Sequence, residues 1–225
     1  MISIPYLICS ILSFVPAIVL HEAAHGFAAW RLGDPTAKRA GRLSMNPLKH
    51  IDPFGTVIMP FLLMAMNMPA FGYAKPVPYN PAYFKDPRKG DLIVGLAGPA
   101  ANLALAVLGA AVHAIVSWTM PAYLLVENDL LYYAIVLFLP LFSLINLYLA
   151  FFNLLPVPPL DGSSIFAFFL PAKYLPKYYK VQRYAMPVFL VAVVLVPYVL
   201  RVNPVGVYLD VTADNVFDLL FSFGG

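Results

Sequence analysis

The sequence predicts an all-α polytopic membrane protein with about four transmembrane helices, plus a re-entrant segment carrying a short extended or β element. Three observations carry this. Of 225 residues, 61% are hydrophobic and only 11% charged, with a mean hydropathy of +0.79, whereas a soluble domain carries roughly a quarter charged residues. The apolar residues fall into runs close to the roughly 20 that a helix needs to cross about 30 Å of hydrocarbon. The basic residues gather in a few loops. Net charge is only +3, and no aromatic-basic pattern of a nucleic-acid module is present, so the expected surroundings are a lipid bilayer and no nucleic acid. A single cysteine, Cys9, cannot form an internal disulfide.

The first run, residues 4 to 32, opens with Pro5 and closes at Arg31 and Gly33, the signs of a helix start and stop. It has no basic leader and no small-residue cleavage site, so it reads as a retained helix, kinked at Pro16. Further spans are expected at residues 91 to 118 and 130 to 152, with a shorter one at about 185 to 200. The apolar stretch from Phe54 to Met66 is too short for a comfortable crossing and reads as re-entrant. Charge agrees with this. Arg31, Lys38, Arg39, Arg42 and Lys49 precede that stretch, and Lys75, Lys85, Arg88 and Lys89 follow it. Basic loops stay on the cytoplasmic side, so what lies between them should enter and leave by one face. The loop with Glu127 and Asp129 suits the other side, while Lys173, Lys177, Lys180 and Arg183 return to the cytoplasm. Residues 203 to 225 read as a short interfacial helix, and the whole chain as one domain.

The stretch VLHEAAHGFA, residues 19 to 28, sets three ionisable groups in one of the most apolar segments. His21 and His25 lie four apart, so their rings share one helix face at the separation that lets two nitrogens bind one zinc ion. Glu22 lies beside that face, giving the H-E-x-x-H arrangement in which the carboxylate is general base toward a water activated by the ion. Two hydrogen-bonded interface histidines would be the structural alternative. Ionisable groups at membrane depth are costly, which favours function.

A catalytic zinc wants a third protein ligand and an open position. Acidic residues near membrane depth are nearly absent. The stretch FFNLLPVPPLDGSS, residues 151 to 164, supplies Asp161 as the third span ends. Pro156, Pro158 and Pro159 exclude helix there and favour an extended path, and Gly162 permits a turn that returns Asp161 to the first helix.

HEAAH in the first helix, GLAGPAANLALA in the second span and NLLPVPPLDG after the third resemble the three signatures of the site-2 protease family of intramembrane zinc metalloproteases, in that family's order. The resemblance covers a catalytic core of about residues 10–165, leaving a C-terminal helix and interfacial tail at 166–225. It implies one zinc ion held by His21, His25 and Asp161, with Glu22 as catalytic acid/base. It also implies a substrate that is itself a membrane protein with a transmembrane helix. No inserted peptide-binding domain is found between the second and third spans, so the chain resembles a minimal member.

Asn102 follows Gly98 by four residues, and the pair resembles the family's small-x-x-x-Asn signature. Its amide could stabilise the oxyanion formed on hydrolysis or could join helices across a small-residue interface. Both readings stay open. Asn153 is placed to orient the metal site and face substrate, whereas Asn146 on the same helix face reads as structural. In FGYAKPVPYNP, residues 71 to 81, Pro76 and Pro78 strip N–H donors from one strand edge. The other edge, with Tyr73, Ala74, Lys75 and Val77, could hold an unwound substrate by strand addition, although a plain proline-rich loop has the same composition. His50 is left outside the site, and His113 reads as structural. A zinc transporter is the rival class, but it needs ligands along a path across the bilayer, and these converge at one depth. A catalytically silent scaffold would be expected to lack Glu22. The compact chain and missing targeting signal point to a prokaryotic plasma membrane, with the active site toward the cytoplasm.

Overall fold

The computed structural model describes residues 3–58, 74–120 and 129–222. The protein is a polytopic α-helical membrane protein. Helix α1 runs from Ile4 to Arg31, with the Ser3 hydroxyl accepting from the Tyr6 N–H and Pro5 in the first turn. It stays helical through Pro16. It stops where the Leu32 N–H turns back to the Ala28 and Ala29 carbonyls and Gly33 takes φ +103°, a conformation that glycine adopts without strain. Helix α2, Pro87–Thr119, starts at Asp86, whose carboxylate accepts from the Arg88 and Lys89 N–H groups. Helix α3, Leu139–Leu154, continues a π-helical turn at Tyr133–Phe138, so the apolar span is Tyr133–Leu154.

These three are long and apolar enough to cross a membrane, and they pack on one another. Close approach depends on small residues. A Cβ on Gly109 would lie 2.5 Å from the Ser143 Oγ and 3.1 Å from Phe142. The interior between them is small and polar. Ser13, Asn102, Ser143 and Asn146 are buried, while Ile8, Ile11, Leu108 and Ile115 point outward. That inversion suits a chain whose solvent is lipid, where helices associate through packing and hydrogen bonds rather than water exclusion.

After α3 the chain forms tight turns through residues 155–160 and enters helix α4, Ser163–Phe169. Arg88 donates to the Leu170 and Ala167 carbonyls, tying α4 to the start of α2. Helices α5, Leu175–Gln182, and α6, Ala185–Leu200, meet at a 66° bend. Together they would supply the expected fourth crossing.

Two expectations change. The C-terminal stretch is not a detached interfacial helix. Its helical segments, Pro204–Leu209 and Asn215–Phe221 with a π-turn between them, pack against α2 and α3, burying Ala213 with Ala106 and Leu147. Asp214 accepts from the Tyr148 hydroxyl at 2.8 Å. Gly162 sits in right-handed helical geometry, so it is not needed for an unusual turn. Its Cβ would collide with the Leu154 and Leu155 carbonyls, so close approach is what demands glycine there. The predicted re-entrant segment lies outside the described residues beyond Ile58, and so does Tyr73. Among the described residues there is no β-strand, and Ala74–Asn80 is extended coil.

Candidate active site

One turn of α1 projects His21 and His25 toward α2, and the turns after α3 carry Asp161 back to meet them. The two Nε2 atoms lie 3.0 Å apart, with Asp161 Oδ2 at 3.0 Å from His21 and 3.3 Å from His25. A tetrahedral zinc with bonds of about 2.0–2.1 Å separates its ligands by about 3.3 Å, so the triangle has the right size. Among the described residues it is the one such cluster of three.

The protonation pattern decides what the triangle can hold. His25 Nδ1 lies 2.7 Å from the Val94 carbonyl, which only accepts, so that nitrogen carries the proton. His21 Nδ1 lies 2.5 Å from Asn102 Oδ1. The Asn102 amide is oriented by its Nδ2, which donates to the Ala17 carbonyl at 3.2 Å and to Asn146 Oδ1 at 2.8 Å. Asn146 Nδ2 in turn donates to the Phe142 carbonyl at 2.8 Å. Two main-chain carbonyls therefore fix the direction of both amides, and His21 must donate from Nδ1. With both Nδ1 atoms turned to acceptors, each ring directs its Nε2 toward the other and toward a buried carboxylate oxygen that accepts no hydrogen bond. Three acceptors facing one point call for a cation.

Helix α2 also clears the space. A Cβ on Gly98 would lie 2.6 Å from both Cε1 and Nε2 of His21 and closer still to His25 Nε2. Val94, Gly98 and Asn102 recur every four residues, so one stripe of α2 supplies a partner for each ring and the opening between them.

Glu22 lies beside the triangle, where two cavities meet. One, of about 200 Å³, is polar, with Tyr79, Asp91, Ser164 and Gln182 in its wall. The other, of about 540 Å³, is lined by apolar side chains that include Phe14, Ile18, Phe152 and Phe189, with Asn153 at its edge. The Tyr79 hydroxyl donates to Asp91 at 2.6 Å. Burial and then the Asp91 charge raise its pKa well above the usual tyrosine range, which keeps it a donor.

Two predicted roles differ from the geometry. Asn102 was expected as a possible oxyanion donor. Its amide hydrogens are directed to Ala17 and Asn146 instead, and its oxygen faces His21. The second concerns the segment with Ala74, Lys75 and Val77, whose N–H edge was expected to be free for a substrate strand. The Lys75 N–H donates to the His50 carbonyl and the Val77 N–H to Glu22 Oε2, both at 2.9 Å, so its donors are already engaged. This segment is better described as a strap. Arg42 donates to the Lys75 and Pro76 carbonyls, and buried Asp34 accepts from the Asn80 N–H at 2.6 Å. Sequence reasoning passed over Asp34, although the Asp34-Pro35-Thr36 run, in which Thr36 also donates to Asp34, is a recognisable turn signal. His50 is buried away from the triangle, with its Nε2 on the Ser44 carbonyl.

Residues 119–196 match the model of peptidase family M50. The chain is 37% identical over 204 residues to "Putative zinc metalloprotease YwhC" of Bacillus subtilis, covering 91% of this chain and 83% of the relative. It is 35% identical over 152 residues to "Putative zinc metalloprotease Rip2" of Mycolicibacterium smegmatis, and 34% to the Rip2 of Mycobacterium tuberculosis. Each Rip2 alignment takes in 68% of this chain and 53% of the relative. No solved structure matches the chain.

Proposed function

The chain belongs to peptidase family M50 and is an intramembrane zinc metalloprotease, and we propose that His21, His25 and Asp161 hold its one zinc ion, with Glu22 as catalytic acid/base. The observation that supports this assignment most directly is the meeting of two imidazole Nε2 atoms and a carboxylate oxygen 3.0–3.3 Å apart beside Glu22. When bound, zinc lowers the pKa of a coordinated water and polarises the scissile carbonyl. The protein's own groups do the rest. Glu22 takes a proton from the attacking water and delivers it to the leaving nitrogen, a transfer that its place between a polar and an apolar cavity permits. The polar cavity is the route for water. The apolar one, between α1, α3 and α6, receives the apolar residues around the cut bond of a substrate transmembrane helix. Asn153 at its edge meets the unwound substrate, and the strap with Ala74, Lys75 and Val77 forms the wall against which it lies.

The basic loops around the site support an active site that faces the cytoplasm, and the bacterial relatives support a prokaryotic plasma membrane. The test is direct. Protein purified in detergent is assayed for bound zinc and for cleavage of a membrane-embedded model substrate, with Glu22→Gln beside the parent. The variant should keep zinc and lose cleavage by about 10²-fold or more. Unchanged cleavage would remove Glu22 from the role, and a parent that binds no zinc would remove the metal site.

A further inference from the structure

We infer that Asn102 and Asn146 form an amide relay that holds His21 in its metal-binding form, so that both are positioning residues for the zinc ligand. The inference rests on the metal site proposed above. The observation behind it is a chain of bonds with a fixed direction, from Asn146 Nδ2 to the Phe142 carbonyl, Asn102 Nδ2 to Asn146 Oδ1, and His21 Nδ1 to Asn102 Oδ1. His21 is 5% exposed, and both asparagines are 0% exposed. No water competes to reset the order.

An amide can turn over, and a turned Asn102 would offer N–H to His21 Nδ1, moving the ring proton to Nε2 and closing that nitrogen to a metal. Two things oppose the flip. Asn102 would point its oxygen at the Ala17 carbonyl, and it would also face Asn146 Oδ1, acceptor against acceptor. Asn146 cannot turn to relieve this, because its own Nδ2 is anchored on the Phe142 carbonyl of α3. The tautomer of a ligand on α1 is thus set by an amide on α2 and a carbonyl on α3. Only the correct docking of all three spans presents His21 ready to bind. His25 needs no such relay, since its Nδ1 meets the Val94 main-chain carbonyl, which cannot flip.

The test uses the whole protein in detergent, with zinc affinity measured by chelator competition. Asn102→Leu should weaken zinc about 10- to 100-fold, the usual cost of removing a ligand's outer partner. Asn146→Leu, which touches no ligand, should weaken it by about tenfold, because the Ala17 carbonyl alone then opposes the turning of Asn102. Ser143→Ala removes a buried hydrogen bond to the Ala106 carbonyl at the same helix interface but outside the relay, and should leave affinity unchanged. In metal-free protein with ¹⁵N-labelled histidine, His21 should show the Nδ1–H tautomer, and Asn146→Leu should mix in the other. If Asn102→Leu does not fold, Asn146→Leu decides alone. Affinity within twofold of the parent in Asn146→Leu, or a loss in Ser143→Ala equal to that in Asn146→Leu, would reduce both residues to packing. A parent without zinc would instead overturn the metal site, and the relay with it.

Discussion

The main-chain N–H of Val77 donates to Glu22 Oε2 at 2.9 Å, so a residue of the strap holds the carboxylate beside the metal triangle. Val77 is itself buried, and a Cβ on Gly26 of α1 would lie 3.0 Å from its Cγ1. The strap is therefore fixed by both a packed side chain and a polar bond. A hydrogen bond to a charged group contributes about 1.5–3 kcal/mol, enough to hold one rotamer of a glutamate.

Replacing Val77 by proline removes this donor and keeps the extended backbone that Pro76 and Pro78 already favour. Cleavage by Val77→Pro should fall by about tenfold with zinc content unchanged, the size set by losing roughly one charged hydrogen bond. Val77→Ala separates packing from the bond, because it trims the side chain but keeps the N–H. Equal rates for the two variants would show that the bond does not position Glu22.

The opening at the triangle is a property of α2. In Gly98→Ala the new methyl would stand 2.6 Å from His21 Nε2, inside the space an ion must take. Alanine is the better helix former by about 1 kcal/mol, so the helix itself should not suffer. The variant should fold and reach the membrane yet bind zinc at least about 100-fold more weakly than the parent, given that two ligand nitrogens are obstructed together. Normal zinc stoichiometry in Gly98→Ala would mean that the rings can withdraw, and that the ion is not confined to this triangle.

The three members of the triangle could be read from sequence because each rests on local geometry: His21 and His25 on helical spacing, Asp161 on a proline run ending in Asp-Gly. Gly98 and Asn102 could be seen, but not their duties. An amide is donor on one side and acceptor on the other, and which side meets His21 depends on Asn146 from another helix and on the Ala17 carbonyl. The prolines around Val77 revealed a donor-poor edge, but the opposite edge was already engaged by partners far away in sequence, Glu22 and His50. The packing of the C-terminal helices was not legible for a similar reason. Asp214 meets its partner Tyr148 on another helix, far away in sequence.

Asp34 is the anchor at the far end of the strap. Its carboxylate is 0% exposed and accepts from the Thr36 N–H, the Thr36 hydroxyl and the Asn80 N–H. In Asp34→Asn one oxygen becomes an NH₂ that must face a donor. Destabilisation of about 1–3 kcal/mol is expected, the cost of buried groups left unpaired. The loss should be visible as a lower thermal midpoint and as faster proteolysis within residues 75–80. Parent-like protection of that segment would show that Arg42 and Glu22 secure the strap without Asp34.

Zinc removal should destabilise the bundle as well as silence it. Two Nε2 atoms and the Asp161 oxygen lie 3.0–3.3 Å apart at the junction of α1, α2 and the turns after α3, so an ion held there ties these elements together. A ligand that binds only the folded state stabilises it by about 2.7 kcal/mol when present at 100 times its dissociation constant. Stripped protein should therefore unfold at a lower temperature than the zinc-loaded form, and its midpoint should climb with added zinc. His21→Ala removes one acceptor from the triangle. It should abolish the zinc response, so parent and variant should differ far more with zinc than without it. A His21→Ala midpoint that rises with zinc as steeply as the parent's would place the stabilising ion somewhere other than between His21, His25 and Asp161.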